Sequence, residues 1–346
     1  MVGKGCRRTT IKDVAARAGV SFKTVSRVVN ASPTVNAEIR AAVQRAMAEL
    51  DYRPHQAARA LRSRRTYAIA LLAGSRDEPR DGAEAQFPAF LGDIVAGCAQ
   101  GCRPAGHHLV LELLAYGDEA QATALATRLL DDVAPDGVVL VPPLSDLGWL
   151  LDLLDARGVP AVRLLPGTAP DRGTCLALDD FAAAGAIARH LLALGHRHIG
   201  FIAGPPDHLA ARERQAGFAA AMADVPATTA CLGEGDFHMA SGEREAERML
   251  RLAPRPTAIF AANDAMAAGA LRAAARMGLA VPGDLSVAGF DDSAIARLSS
   301  PPLTTMRQPA RAMASHAVAM LAGQATATAQ FACELVTRDS TAEPGR

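Results

Sequence analysis

After Arg65 the chain is punctuated by short, continuous apolar runs: YAIALLAG, HLVLELL, DGVVLVPP, VPAVRLL, HIGFIAGPP, TAIFAAND and LSVAGFDD. Alanine-rich amphipathic stretches separate them, among them residues 181–194, 209–223 and 264–278. A strand that is apolar on both faces must be covered on both, and alternation with helices supplies that cover. The pattern predicts a doubly wound α/β body of parallel sheets. Polar residues collect where the runs stop: Asp179 and Asp180, Gly204 and Asp207, Asn263 and Asp264, Asp291 and Asp292. In open α/β sheets the ligand crevice lies beyond the carboxyl ends of the strands. Neutral and acidic groups gathered there suit a ligand rich in hydroxyls. Asp and Asn also cap helices, so each position has two readings; Asp180 and Asp264 are read as caps, Asn263 and Asp291 as ligand contacts.

The 346 residues carry no formal net charge, but 14 Lys or Arg against 4 Asp or Glu fall in residues 1–65, and 22 against 32 in the rest. A basic head on an acidic body points to a polyanion at one end only. Within that head, Thr10-Ile11-Lys12-Asp13 fits a capping box. A helix from Ile11 buries Ile11, Val14, Ala15 and Ala18, and Gly19 ends it. Ser21 caps a second helix running to about Asn30. Its Val25, Val28 and Val29 face inward; Phe22, Lys23, Ser26 and Arg27 face out. A third helix, about Ala37 to Leu50, has Ile39, Val43, Met47 and Leu50 at helical spacing.

Two short helices about a glycine turn, braced by a third, make a helix-turn-helix, an all-α DNA-binding domain. Its second helix enters the major groove with its N-terminal residues at the base edges. That assigns base reading to Phe22, Lys23 and Arg27, and phosphate contacts to Thr10, Ser21 and Thr24. Ser26 and Asn30 complete the candidate DNA contacts on this helix. The plainer alternative is a helical cap whose charges are merely solvated.

TIKDVAARAGVSFKTVSRVVN, followed by MAELDYRPHQAARALRSRRT, resembles the head of a LacI-family transcriptional regulator. GHRHIGFIAGPP, AARERQAGF, AIFAANDAMAAGAL, VPGDLSVAGFDD and PPLTTMRQP extend the resemblance almost end to end. It implies a helix-turn-helix domain over 8–53, a hinge helix over 54–65 and an effector-binding and dimerisation body over 66–340. That body is periplasmic-binding-protein-like, with two subdomains and chain crossovers near 178–180 and 303–309. In the family the hinge inserts a leucine into the minor groove. By position this is Leu61, flanked by Ala58 and Arg62, and an apolar wedge there kinks DNA. By motif position Arg214, Asn263 and Asp291 hold effector hydroxyl or carboxylate groups. Phe237, in GDFHMASG, presents an aromatic ring, and Phe90 supplies a surface from the first subdomain. Arg214 has the alternative of a surface ion pair with a neighbouring carboxylate.

Two stretches depart from the family pattern. Residues 75–90 are polar and longer than a tight strand-to-helix loop, and the tail STAEPGR lacks the leucine heptads of tetrameric relatives. The expectation is a homodimer on palindromic double-stranded operator DNA, a repressor controlled by a small effector. A sugar or sugar derivative comes first; a purine or nucleoside, or no ligand at all, is the alternative.

Other classes are disfavoured. The only lysines are Lys4, Lys12 and Lys23, so no phosphate-loop or Schiff-base lysine lies in the body. GxGxxG, GxSxG and HExxH are absent. Adjacent pairs such as Asp179–Asp180 are poor candidates for opposed catalytic carboxylates, which stand about 5–9 Å apart. His196 and His198 start a strand, away from the crevice end. The six cysteines are scattered and are read as buried thiols; Cys98 and Cys102, one helical turn apart, have no partner that completes a zinc site. No cofactor or metal is expected. With no apolar signal region and no run long enough to span a bilayer, the chain reads as cytoplasmic, with no membrane partner, rather than as a transport protein.

Overall fold

The computed structural model describes residues 9–29, 32, 34–52, 65–75, 90–326, 329 and 331–345. The chain divides into two units, Met1–Tyr67 and Ala68–Arg346. Among the described residues no helix is long and apolar enough to cross a membrane.

In the first unit, α1 (Ile11–Ala18) starts where Thr10 and Asp13 close a reciprocal capping box. The Thr10 amide donates to Asp13 Oδ2 at 2.7 Å. The helix ends at Gly19, whose φ of 68° is left-handed. Ser21 Oγ accepts from the Thr24 amide at 3.1 Å and opens α2 (Phe22–Val29). Asn36 caps α3 (Ala37–Glu49) through a 2.8 Å bond from the Glu38 amide. The three helices bury Val14, Ala15, Val25, Val28, Val43 and Ala46 in one small core. The inner stripe of α3 differs from the one the spacing predicts. Ala46 is buried beside Val43, with Met47 and Leu50 packed partly buried against the same core, while Ile39 in the first turn is 37% exposed.

The second unit holds two parallel sheets. The first has the order β2-β1-β3-β4-β5, from β1 (Ala68–Ser75), β2 (His108–Ala115), β3 (Gly137–Leu140), β4 (Ala161–Leu164) and β5 (Thr174–Leu176). Along β1 the period-2 alternation feeds two cores. Ile69, Leu71 and Ala73 pack with Ile94 and Cys98 of α4 (Leu91–Ala105) and with Met313 and Ala317 of α12 (Ala310–Leu321). Ala70 and Leu72 pack with Leu129 of α5 (Glu119–Val133) and Leu150 of α6 (Gly148–Ala156).

The second sheet has the order β7-β6-β8-β9, from β6 (His198–Ala203), β7 (Thr229–Glu234), β8 (Ala258–Ala261) and β9 (Ser286–Ala288). Four helices cover it: α7 (Asp180–Ala193), α8 (Leu209–Ala223), α9 (Met239–Leu250) and α10 (Asp264–Arg276). Phe201 on β6 is fully buried, stacked on Phe218 of α8 with ring centroids 4.8 Å apart. Helix pairs touch backbone to backbone. A Cβ on Gly217 would stand 2.0 Å from the Phe181 carbonyl oxygen, and one on Gly97 2.2 Å from that of Arg311. Only glycine permits these approaches.

The chain passes from β5 into α7, and returns through the short α11 (Ala294–Leu298) and β10 (Thr305–Arg307) to α12, which packs on the first sheet. It then comes back once more, as β11 (Glu334–Val336) pairs antiparallel with β10. The C-terminal stretch is fastened to the second sheet by Ser340, whose Oγ donates to the Val287 carbonyl at 2.6 Å, and by His196. That histidine is buried, with Nε2 2.9 Å from the Ala342 carbonyl. Of the thiols, Cys98 and Cys102 are buried, and burial pushes them up to about 12 and about 11. Cys175, Cys231 and Cys333 are only partly buried, so the expectation of buried thiols fails for these three.

Candidate functional sites

On the first unit, the periodicity that buries Val25 and Val28 turns Phe22, Lys23 and Arg27 outward. Phe22 is 54% exposed, unusual for so large an apolar side chain, and both cations are exposed. Thr24 is half-buried, and its hydroxyl is 2.9 Å from Ser21 Oγ. Ser26 is half-buried. Thr10 is exposed and donates its hydroxyl to Asp13. Asn30, Ala58, Leu61 and Arg62 lie outside the described residues.

On the second unit, the loops beyond the carboxyl ends of the second sheet bring Arg214, Asp291, Asn263 and Phe237 together. Arg214, on α8, is 4% exposed. Its Nε donates to Asp180 Oδ1 at 2.7 Å, and its Nη1 to the Ala262 carbonyl at 2.7 Å. Nη1 also stands 3.8 Å from Asp291 Oδ1. The guanidinium lies 3.7 Å over the Phe290 ring. A surface ion pair is therefore ruled out: Arg214 is a buried cation shared by two buried carboxylates. Charges removed from water need partners of this quality, and losing one partner typically costs about 3–5 kcal/mol.

Two sequence readings are corrected here. The caps are Asp179 and Asn263, not Asp180 and Asp264. Asp179 Oδ1 accepts from the Ala182 amide at 2.7 Å and Asn263 Oδ1 from the Met266 amide at 2.9 Å. Asp180 and Asp264 sit one residue further on, inside the first turn, where a carboxylate points back beneath the helix. Asp180 meets Arg214. Asp264 accepts from Thr305 Oγ1 at 2.6 Å and from the Ser293 amide at 2.8 Å. Asn263 also gives an amide hydrogen to the Phe237 carbonyl at 2.9 Å. With its oxygen spent on the cap, one amide N–H is left to offer.

The backbone is held in uncommon conformations at the same place. Phe237 has φ 69°, Asp291 φ 121° and Asp292 φ 54°. Side-chain-bearing residues enter that region at a cost of about 1–3 kcal/mol each, and such outliers cluster at ligand sites. The Phe237 ring lies against Gly204, where a Cβ would come within 2.4 Å of it. Burial pushes the Asp291 carboxyl above the usual range. Arg214, already committed to Asp180, opposes this only in part, and the Asp264 carboxylate adds to it. Burial likewise raises Asp264, to about 6, against its hydrogen bonds from Thr305 and Ser293.

Phe90 stands apart. It precedes α4 and packs on the first-sheet core; among the described residues nothing joins it to the other four. Two neighbours escaped the sequence reading. Gln308 donates Nε2 to Asp291 Oδ1 at 2.5 Å. His208 sets its ring edge-on to Phe237, with centroids 5.2 Å apart. Gln308 had a faint signal as the one neutral amide closing PPLTTMRQP; His208 had none.

The description "Bacterial regulatory proteins, lacI family" matches residues 10–55, and "Periplasmic binding protein-like domain" matches residues 188–341. The HTH-type transcriptional repressor PurR of Proteus mirabilis is 37% identical over 317 residues, 90% of this chain and 89% of that one. The same repressor from Edwardsiella ictaluri is 36% identical, over 92% of this chain and 90% of its own. Among solved structures, the lac repressor dimer bound to operator and the anti-inducer ONPF is similar at a TM-score of 0.75 and 31% identity, over 97% of this chain and all of that one. A complex of the transcriptional regulator CelR with cellobiose is similar at a TM-score of 0.68 and 31% identity, over 96% of this chain and 100% of that one.

Proposed function

The chain belongs to the lacI family of bacterial regulatory proteins, and from that premise we propose that it is a homodimeric repressor that binds a palindromic operator and is controlled by a small effector. We assign residues 8–53 to reading DNA, 54–65 to the hinge and 66–340 to the effector and the dimer. The observation that carries the DNA half is the outward face of α2, where Phe22, Lys23 and Arg27 stand exposed on a buried valine stripe. A solvated cap has no use for an exposed phenylalanine at the head of a cationic face; a major groove has. Thr10, Ser21, Thr24 and Ser26 fit phosphate contacts around it.

The effector half rests on Arg214, Phe237, Asn263 and Asp291, four residues from distant segments that converge beyond one sheet. Phe90 remains a candidate from the first sheet. The effector class follows from their chemistry: carboxylate, amide and guanidinium around an aromatic ring suit a sugar or sugar derivative. The relatives named as PurR keep a purine or nucleoside as the second reading. No chemical step belongs to this assignment, because the crevice carboxylates are tied to cations and hydroxyls. Acting on DNA places the protein in the cytoplasm.

Thermal unfolding of the protein against monosaccharides, disaccharides, nucleosides and purines tests the effector half. A true effector raises the midpoint by mass action, worth about 2.7 kcal/mol at a hundredfold excess over its Kd. The rise should vanish in Asp291→Ala, and the same compound should change operator affinity. By linkage, the operator must then change effector affinity by the same factor. Stabilisation that leaves operator binding untouched would separate the ligand site from regulation.

A further inference from the structure

Two histidines outside the crevice hold the last residues of the chain. His190, in the last turn of α7, brings Nε2 to 3.1 Å from Thr341 Oγ1. His196, just ahead of β6, is buried. Its Nε2 lies 2.9 Å from the Ala342 carbonyl and 3.1 Å from Ser286 Oγ, and its Nδ1 2.9 Å from Thr257 Oγ1. A carbonyl can only accept, so Nε2 carries the hydrogen and Nδ1 accepts from Thr257. The segment so held covers an edge. β9 has β8 on one side. On the other, the Val287 amide donates to the Ser340 carbonyl at 2.8 Å, and Ser340 Oγ to the Val287 carbonyl at 2.6 Å. The Ala342 amide donates to Ser286 Oγ at 3.0 Å. An uncovered strand edge is a template for pairing with another chain.

We propose that residues 338–343 are an acid-released clasp on the second sheet: closed while His190 and His196 are neutral, it opens when they gain protons and uncovers β9. Among the described residues no carboxylate is bonded to either ring. The charged neighbours that act on His196 are His190 and Arg197. His198 turns instead to Thr229 and the Pro254 carbonyl, and Asp339 and Glu343 of the tail are exposed. A proton on Nδ1 would make it a donor facing Thr257 and leave the cation with hydroxyls and carbonyls alone. Burial holds both rings below the ordinary histidine value; at His196 the Ala342 bond opposes this and the two cations add to it. The carboxyl end of α7 favours a charge on His190, but burial outweighs it. Once released, the rings titrate near their ordinary value of about 6.5. Below that pH the open form binds the additional protons. The closed form is therefore fully favoured above it and loses ground on acidification, by up to about tenfold per pH unit for each ring. The clasp is independent of what the crevice binds.

The test is amide hydrogen exchange of the full chain at pH 7.5 and 5.5, in wild type, His190→Gln and the double variant His190→Gln/His196→Gln. Protection factors at Val287 and Ala342 report the clasp; Phe201, buried on the central strand β6, reports global unfolding. In wild type the two clasp amides should be less protected than Phe201 at both pH values and indifferent to urea below the unfolding transition, as a local opening requires. Their protection should fall about tenfold or more on acidification. His190→Gln should show a shallower fall, and the double variant should be flat within about twofold, whatever its protection at pH 7.5.

Wild-type clasp amides equally protected at both pH values would overturn the proposal, as would a fall equally steep in wild type and in either variant. Clasp amides as protected as Phe201 would also overturn it, since the tail would then leave only when the whole sheet unfolds. If the double variant does not fold, His190→Gln alone decides, because its slope must still be shallower than that of wild type.

Discussion

The face of α2 that we assign to reading DNA and the crevice use the same residue types in opposite ways. On α2 the cations Lys23 and Arg27 stand in solvent, and the apolar Phe22 stands with them. In the crevice Arg214 is buried between Asp180 and Asp291, and Asp291 accepts in turn from Gln308. An exposed charge contributes little to folding and remains free to meet a polyanion. A buried one is part of the fold, and removing it strands its partners. Function in the head can thus be separated from stability; in the crevice it cannot.

The largest expected effect tests the crevice side of this contrast. Arg214→Leu should lower stability by about 3–5 kcal/mol in urea unfolding, because Asp180 and Asp291 lose their shared cation. A loss under about 1 kcal/mol would show that water reaches these carboxylates. Gly204→Ala comes next. The added methyl group displaces the Phe237 ring at a cost of about 1–3 kcal/mol, and effector affinity should fall with stability.

Lys23→Ala and Arg27→Ala probe the head. Each should weaken operator binding by about 1–3 kcal/mol and relax sequence preference, while stability stays within about 0.5 kcal/mol of wild type. A matching loss of stability would erase the distinction between the two regions.

The smallest effect is the pH response of His208. Burial and Arg214 depress its folded-state value, so below its ordinary value of about 6.5 the unfolded chain binds the additional proton. Its contribution to stability is therefore present above that pH and is lost on acidification. Between pH 7 and 5.5 the unfolding midpoint should fall further in wild type than in His208→Phe. Equal slopes would mean that the ring is not held neutral.

The contrast also explains what the sequence discloses. The helices of the head follow local rules: Thr10 and Asp13 cap, Gly19 stops, and valines at helical spacing face inward. The central strands announce themselves because both of their faces are buried. β7 does not, because it is an edge strand with Thr229, Ala230, Leu232 and Glu234 exposed; nor do the three-residue β5, β10 and β11. In the crevice, the residue types at the strand ends are legible but their pairing is not. Asp180 and Arg214 are 34 positions apart, and Asp291 and Gln308 are 17 apart. Which of two adjacent carboxylates caps a helix and which turns inward depends on a partner that only the folded chain supplies. His208 carries no local signal, since its ring is set against Phe237, a residue far along the chain that only the folded protein brings to it.

The most direct test of the central claim is to select operator sites for the full protein from a random DNA pool, then compare wild type and Arg27→Ala on the selected site and on a scrambled one. The account predicts convergence on a palindrome, with Arg27→Ala weakening binding to the selected site by about tenfold or more and to the scrambled site far less. A pool that does not converge, or an equal loss on both DNAs, would contradict it, leaving α2 a charged surface rather than a reading face.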